Sequence, residues 1–308
     1  TAHGCLRMKA NVQTLTKQEQ LNFLLTNRIP RRWLTLFMGW FSQIHSPLLT
    51  QLSIKIWQLF AEDLRLQDAK KQSFNSLGEC FTRQLKDGLR PIDQRAEIIS
   101  SPCDAIIGAC GRVEGSKVFQ AKGFPYDLSE LIPDARIAQQ YRNGLFVTLR
   151  LKSSMYHRFH APVDCQVKQV DYISGDTWNV NPIALKRVEK LFCLNERAVV
   201  ELKLDTPQAS ITLVPVAAIL VASMKFHFLP QVLDLRYKGA NIIPCDARFQ
   251  KGQEMGYFQH GSTIIVFASE HYQLCADIEE GRPIKMGQAL LQGHPFEHVT
   301  SSMPDAVA

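Results

Sequence analysis

A chain of 308 residues with 45% hydrophobic and 21% charged content is a folded protein of one large or two ordinary domains, not a disordered one. Its formal net charge of +6 suits an anionic membrane surface; with no arginine-rich or aromatic-interleaved stretch, it does not describe a nucleic-acid module. Eight cysteines, none of them in a Cys-x-x-Cys pair, exclude a zinc site of that spacing and read as reduced, mostly buried thiols.

The first 30 residues lack the basic start, apolar core and small-residue cleavage site of a secretion signal. Residues 17–30 predict a short polar helix ending at Pro30. Arg31 and Arg32 then introduce an apolar run from Trp33 to Ile44, and no charged residue returns until Lys55. The run has the length of a bilayer span, but Ser42, Gln43, His45, Ser46, Pro47, Thr50 and Gln51 interrupt it. An interfacial amphipathic pair fits better, with Trp33, Trp40 and Trp57 at headgroup level and Arg28, Arg31 and Arg32 on anionic lipid. The alternative is a buried helical hairpin packed on the domain.

Residues 70–95 form a polar connection with a short helix around Phe74 to Leu85. Strand-like runs follow between turn signals: Ala105–Cys110, Lys117–Ala121, Gly144–Leu151, Cys165–Ile173, Arg197–Leu204, Ile211–Ala218 and Thr263–Phe267. Two segments, from Phe249 and from Ile284, each carry a basic residue close to a glycine turn and a following strand, as in sandwiched half-barrels. The polar tail 293–308 is expected to fray.

Three clusters can carry chemistry. In Ser101-Pro102-Cys103-Asp104-Ala105 the proline sets a turn at a strand entry, which can aim Asp104 inward or simply cap the turn. In Tyr156-His157-Arg158-Phe159-His160 the two histidines are three apart, a spacing that puts both on one face of a helical turn. Metal binding, acid/base work and a structural role all remain open for them, although no third metal ligand with supporting spacing stands nearby. In His260-Gly261-Ser262-Thr263 a Gly-Ser pair opens an apolar strand. The plain reading is a turn into a buried strand. The chemical reading is attack of the Ser262 hydroxyl on the Gly261 carbonyl, an amide-to-ester shift that needs an unhindered, distorted peptide and a base such as a histidine. Elimination from that ester cuts the chain and leaves a dehydroalanine, which water hydrolyses to a pyruvoyl group where Ser262 stood, with release of ammonia.

Lys251–Phe267, Tyr156–Pro162, Gly175–Pro182, Phe119–Gly123 and Phe192–Arg197 occur in an order that resembles the phosphatidylserine decarboxylases, over about Phe74 to Leu291. Two positions depart from the common family pattern: His260, where leucine is usual, and Ala105, where glycine is usual.

The resemblance implies an α+β fold with a β-rich catalytic core of barrel-sandwich-like strands, preceded by N-terminal membrane-associating helices. The regions are then 1–70 (helical, membrane-associating), 71–292 (catalytic core) and 293–308 (tail). It assigns Asp104, His160 and Ser262 as a self-processing triad cutting between Gly261 and Ser262, and His157 as proton donor or positioning group in the decarboxylation. The cofactor is a self-generated pyruvoyl group, and no metal is expected. The partners are phosphatidylserine, an anionic membrane surface at its cytoplasmic face, the two cleaved fragments held as a heterodimer, and a second copy in a homodimer. The rival readings are a pyruvoyl enzyme of a soluble amino acid, a lipid-binding relative that no longer cuts, and a metal hydrolase on His157 and His160.

Overall fold

The structure, a computed structural model, describes residues 30–61, 63–121, 124–205, 209–220, 223–259 and 262–293. The helix expected over 17–30, the residues His260 and Gly261, and the tail from 294 onward lie outside these.

An eight-stranded antiparallel sheet organises the molecule. From edge to edge it runs β12 (Ile242–Phe249), β7 (Cys165–Ile173), β8 (Arg197–Leu202), β9 (Ile211–Ala217), β14 (Ser262–Ala268), β5 (Leu145–Leu151), β2 (Ala105–Arg112) and β16 (Pro283–Ile284). The expected runs therefore form strands, with bounds shifted by up to two residues. β9 and β14 are buried at every position, so they read as continuous apolar runs rather than alternating ones. The edge strand β12 escaped the sequence because it alternates polar and apolar residues and is half exposed.

One face of the sheet supports a core built from alternate residues such as Leu149, Val200, Leu213 and Ile264. On that face lies a four-stranded sheet of order β11 (Val232–Asp234), β10 (Ser223–Phe226), β13 (Glu254–Phe258) and β6 (Arg158–His160). A three-stranded sheet, β1 (Ile98–Ser100), β17 (Ala289–Gly293) and β15 (Tyr272–Leu274), adds Ile99, Leu291 and Tyr272 to the same core. The opposite face packs Val199, Val216, Ile265 and Phe267 against short helical turns and the hairpin of β3 (Lys117–Ala121) and β4 (Phe124–Asp127). The eight-stranded sheet stays open, so the core is layered rather than a closed barrel. Two turns that looked alike in sequence are alike in conformation: Gly252 and Gly287 both have positive φ, 84° and 89°, which favours glycine.

Ahead of the sheets stand helices α1 (Arg31–Phe41), α2 (Pro47–Phe60) and α3 (Leu77–Phe81). Ser46 caps α2 through Leu49 N, and Pro47 occupies its first turn. Their burial pattern is inverted. Thr35, Ser42 and Thr50 are buried, whereas Trp33, Phe37 and Trp40 on α1 and Leu48, Leu52 and Phe60 on α2 are exposed. Polar contacts hold α1 on the core: the Arg31 guanidinium sits on Asp176 and 3.7 Å over the Trp178 ring, and Leu220 N–H donates to the Thr35 hydroxyl at 3.0 Å. No helix among the described residues is long and apolar enough to cross a membrane.

Candidate active site

Ser262 is the first residue of β14, at the centre of the large sheet. It pairs with Ala217 on one side and Leu151 on the other. Its side chain is fully buried, and among the described residues its Oγ has no hydrogen-bond partner. A buried hydroxyl without a partner is costly, and such groups concentrate where chemistry needs them.

The two histidines do not share a helical face. The segment is extended, with His160 ending β6 and His157 just ahead of it, so the helical expectation is corrected. Spacing by three suits a helix in isolation, but here pairing with β13 decides the conformation: His160 lies opposite Glu254, Phe159 opposite Gly256 and Arg158 opposite Tyr257. The Phe258 N–H then donates to His157 O at 3.0 Å, placing the His157 backbone beside the segment that leads into Ser262.

His160 is buried and tied at both ring nitrogens. Nδ1 is 2.9 Å from Gly252 O and Nε2 is 2.9 Å from the Tyr156 hydroxyl. A carbonyl only accepts, so Nδ1 carries the proton and Nε2 accepts from Tyr156. Burial lowers the affinity of the ring for a second proton, with the Gly252 carbonyl, Glu254 and Asp104 opposing. The result is a neutral imidazole whose basic nitrogen is Nε2. His157 donates from Nδ1 to Met155 O at 2.8 Å, and its ring centroid lies 4.1 Å from that of Phe81.

Asp104 stands just ahead of β2 and is buried, which is one of the two arrangements its turn allows. Its carboxylate is held by Arg90, with Nε 2.8 Å from Oδ1, and by Met286 N–H at 2.9 Å. No hydrogen bond joins Asp104 to His160 among the described residues; the Pro102 carbonyl, accepting from His160 N at 2.8 Å, links their segments. The group that orients His160 directly is the Gly252 carbonyl. Sequence reasoning missed Arg90 and Tyr156. Tyr156 stood inside a motif already singled out, whereas Arg90 lies in a polar connection with no local signal.

No group of three or more metal-ligating side chains occurs among the described residues. The orphaned Ser262 hydroxyl, at the head of a buried strand and preceded by glycine, fits the precursor of a pyruvoyl group. All seven described cysteines are free thiols, and Cys103, beside Asp104, is pushed up strongly by burial, which makes it inert rather than nucleophilic.

The same segments carry the similarity to known proteins. The family described as phosphatidylserine decarboxylase matches residues 77–292. The phosphatidylserine decarboxylase proenzyme of Vibrio parahaemolyticus is 34% identical over 270 residues, covering 84% of this chain and 94% of that protein. The proenzyme of that name from Vibrio cholerae is 33% identical over 283 residues, 88% and 95% of the two chains. That of Haemophilus influenzae is 31% identical over 277 residues, 85% and 92%. The matched stretch runs from α3 through the Asp104 turn, the two histidines and Ser262 to β17, so this chain belongs to the phosphatidylserine decarboxylase family.

Proposed function

We propose that the chain is a precursor that cuts itself between Gly261 and Ser262, converts Ser262 into a pyruvoyl group and then decarboxylates phosphatidylserine to phosphatidylethanolamine. The observation that carries this reading is the buried Ser262 Oγ, without a hydrogen-bond partner among the described residues, at the head of the central strand. The pyruvoyl group supplies a ketone that serves as an electron sink for the loss of carbon dioxide.

In the cutting step His160 takes the Ser262 proton on Nε2, after the Tyr156 hydroxyl leaves that nitrogen. The Gly252 carbonyl keeps the ring in the required tautomer. Asp104, fixed by Arg90, acts as a nearby negative charge that favours the imidazolium. His157 serves the decarboxylation, moving a proton at the headgroup with the ring it anchors on Met155 O.

Substrate entry is supported by a cavity of about 420 Å³ lined in part by Arg150, Leu151, Lys152, Asn179, Ala218 and Phe60. Arg150 and Lys152 suit a lipid phosphate, Leu151 is the strand partner of Ser262, and Phe60 lies in the exposed apolar stripe of α2. Helices that bury threonine and serine while exposing tryptophan and leucine are built for an apolar medium on their outer side. We therefore read α1 and α2 as lying on a bilayer that delivers the lipid sideways, with the protein peripheral.

Intact mass spectrometry under denaturing conditions tests the reading. Two species, meeting between Gly261 and Ser262 and with the second blocked by a pyruvoyl group, are expected. A single uncut chain, under conditions where vesicles are present, overturns it.

A further inference from the structure

The triplet Asn195-Glu196-Arg197 leads into β8, and its three polar side chains meet different fates. Asn195 bonds both the N–H and the carbonyl of Trp178, and the carbonyl of Ala217. Arg197 donates to the carbonyls of Glu130, Leu131, Cys193 and Asn195. Glu196 between them is fully buried, and among the described residues neither carboxylate oxygen has a hydrogen-bond partner. The outer two residues build the fold, and the middle one contributes no side-chain hydrogen bond to it among the described residues.

The sheet register locates this carboxyl. Ala217 N–H donates to Glu196 O at 2.8 Å, and Ala217 lies opposite Ser262. Glu196, immediately ahead of β8, therefore continues the row of Ala217, Ser262 and Leu151, and residues of one row in an antiparallel sheet project to one face. The packing agrees: Val200 and Leu202 of β8, Ile211 and Leu213 of β9, and Ile264 and Val266 of β14 share a single core. The Glu196 and Ser262 side chains thus stand on the same face, two strands or about 10 Å apart, with Ala217 between them in the row.

Burial pushes the Glu196 carboxyl up to about 8; Asp234 on β11 adds to this and Arg32 on α1 opposes it. The group is thus a neutral acid near pH 7, with a proton to donate and no described acceptor to receive it. Replacing a buried polar group that has no partner by an apolar side chain of similar size is neutral or stabilising, so folding alone does not account for a carboxyl here.

We propose that Glu196 is a specificity-determining residue: from its place on the Ser262 face, it donates a hydrogen bond to the carboxylate of the serine headgroup. This rests on the proposed conversion of Ser262 into a pyruvoyl group, whose ketone would condense with the substrate amine and release water. With the amine at Ser262, the headgroup carboxylate lies on the Ser262 face and extends past Ala217 toward Glu196. An ionised side chain there would repel it, whereas an O–H···O⁻ bond in a dry site is strong. The decarboxylated product has lost the acceptor, so the same contact separates substrate from product.

The test uses the uncut Ser262→Ala chain, which cannot turn lipid over. Binding of a water-soluble short-chain phosphatidylserine is measured by calorimetry against the phosphatidylethanolamine of matching chains. Ser262→Ala is expected to prefer the serine lipid. Adding Glu196→Leu should shrink that preference by roughly ten-fold or more, with melting temperature unchanged or raised. Glu196→Gln, still a neutral donor, should keep most of the preference. The proposal is overturned if Ser262→Ala shows no preference, if Glu196→Leu leaves it intact, or if Glu196→Leu fails to fold. Failure of the underlying reading is seen separately, as a wild-type chain that remains a single uncut mass.

Discussion

The Nδ1 of His160 donates to the carbonyl of Gly252, 2.9 Å away. That carbonyl is presented by a turn whose φ of 84° belongs to glycine, and a β-carbon there would meet Ile92 Cδ1 at 2.0 Å. A turn remote in sequence thus sets the tautomer of the proposed base.

Gly252→Ala should displace that carbonyl. The expected outcome is self-cleavage slowed by roughly 10²-fold and a stability loss of about 1–2 kcal/mol. Fragment appearance followed by gel and urea unfolding of the Ser262→Ala background check the two effects. Wild-type cutting in Gly252→Ala would remove the carbonyl from the mechanism.

Arg90 and Asp104 form a buried pair, with side chains 9% and 10% exposed. Removing only the cation leaves a carboxylate stranded in the core. Arg90→Ala should therefore cost about 3–5 kcal/mol, measured by urea unfolding of the uncut chain. Arg90→Ala with Asp104→Asn should recover part of that loss. Equal stability of Arg90→Ala and its parent would mean that the pair contributes nothing.

Glu196 ties stability to pH. Its folded value of about 8 lies above the ordinary 4.5, so between the two the folded state holds a proton that the unfolded chain releases. Its contribution therefore falls as pH rises from about 5, and the loss is complete above about 8, reaching a few kcal/mol at most. The difference in unfolding free energy between Ser262→Ala and Ser262→Ala with Glu196→Gln, followed from pH 5 to 9, should carry this slope. A difference that is flat across the window would show that Glu196 titrates normally.

Trp33, Trp40 and Phe60 expose 77%, 61% and 87% of their surface. Replacing all three by alanine should weaken binding to phosphatidylserine vesicles by at least about ten-fold, as co-sedimentation would read it. The helices should stay docked, because Thr35 and Arg31 provide the inward contacts. Undiminished binding would place the membrane contact elsewhere.

Much of this was legible in the chain. β5, β9 and β14 stand out as largely apolar runs bounded by turn signals, because strands at the middle of a sheet bury both faces, whereas β7 stands out by its alternation. The Gly261-Ser262 pair and the order of the surrounding motifs pointed to the family that the comparisons support. The conformation of His157 and His160 was not legible, since a spacing of three is compatible with helix or strand until β13 pairs with the segment. The same holds for the partners of each side chain. Arg90 meets Asp104 across 14 positions, Gly252 meets His160 across 92, and Glu196 joins the Ser262 row only through Ala217. Composition and periodicity are local properties, and they determined which segments become strands and where the Gly-Ser pair proposed for cutting stands. Strand register and the buried partners of charges arise from contacts between distant segments, so only the tertiary structure decided which residue orients, which one neutralises and which carboxyl is left with a proton to give.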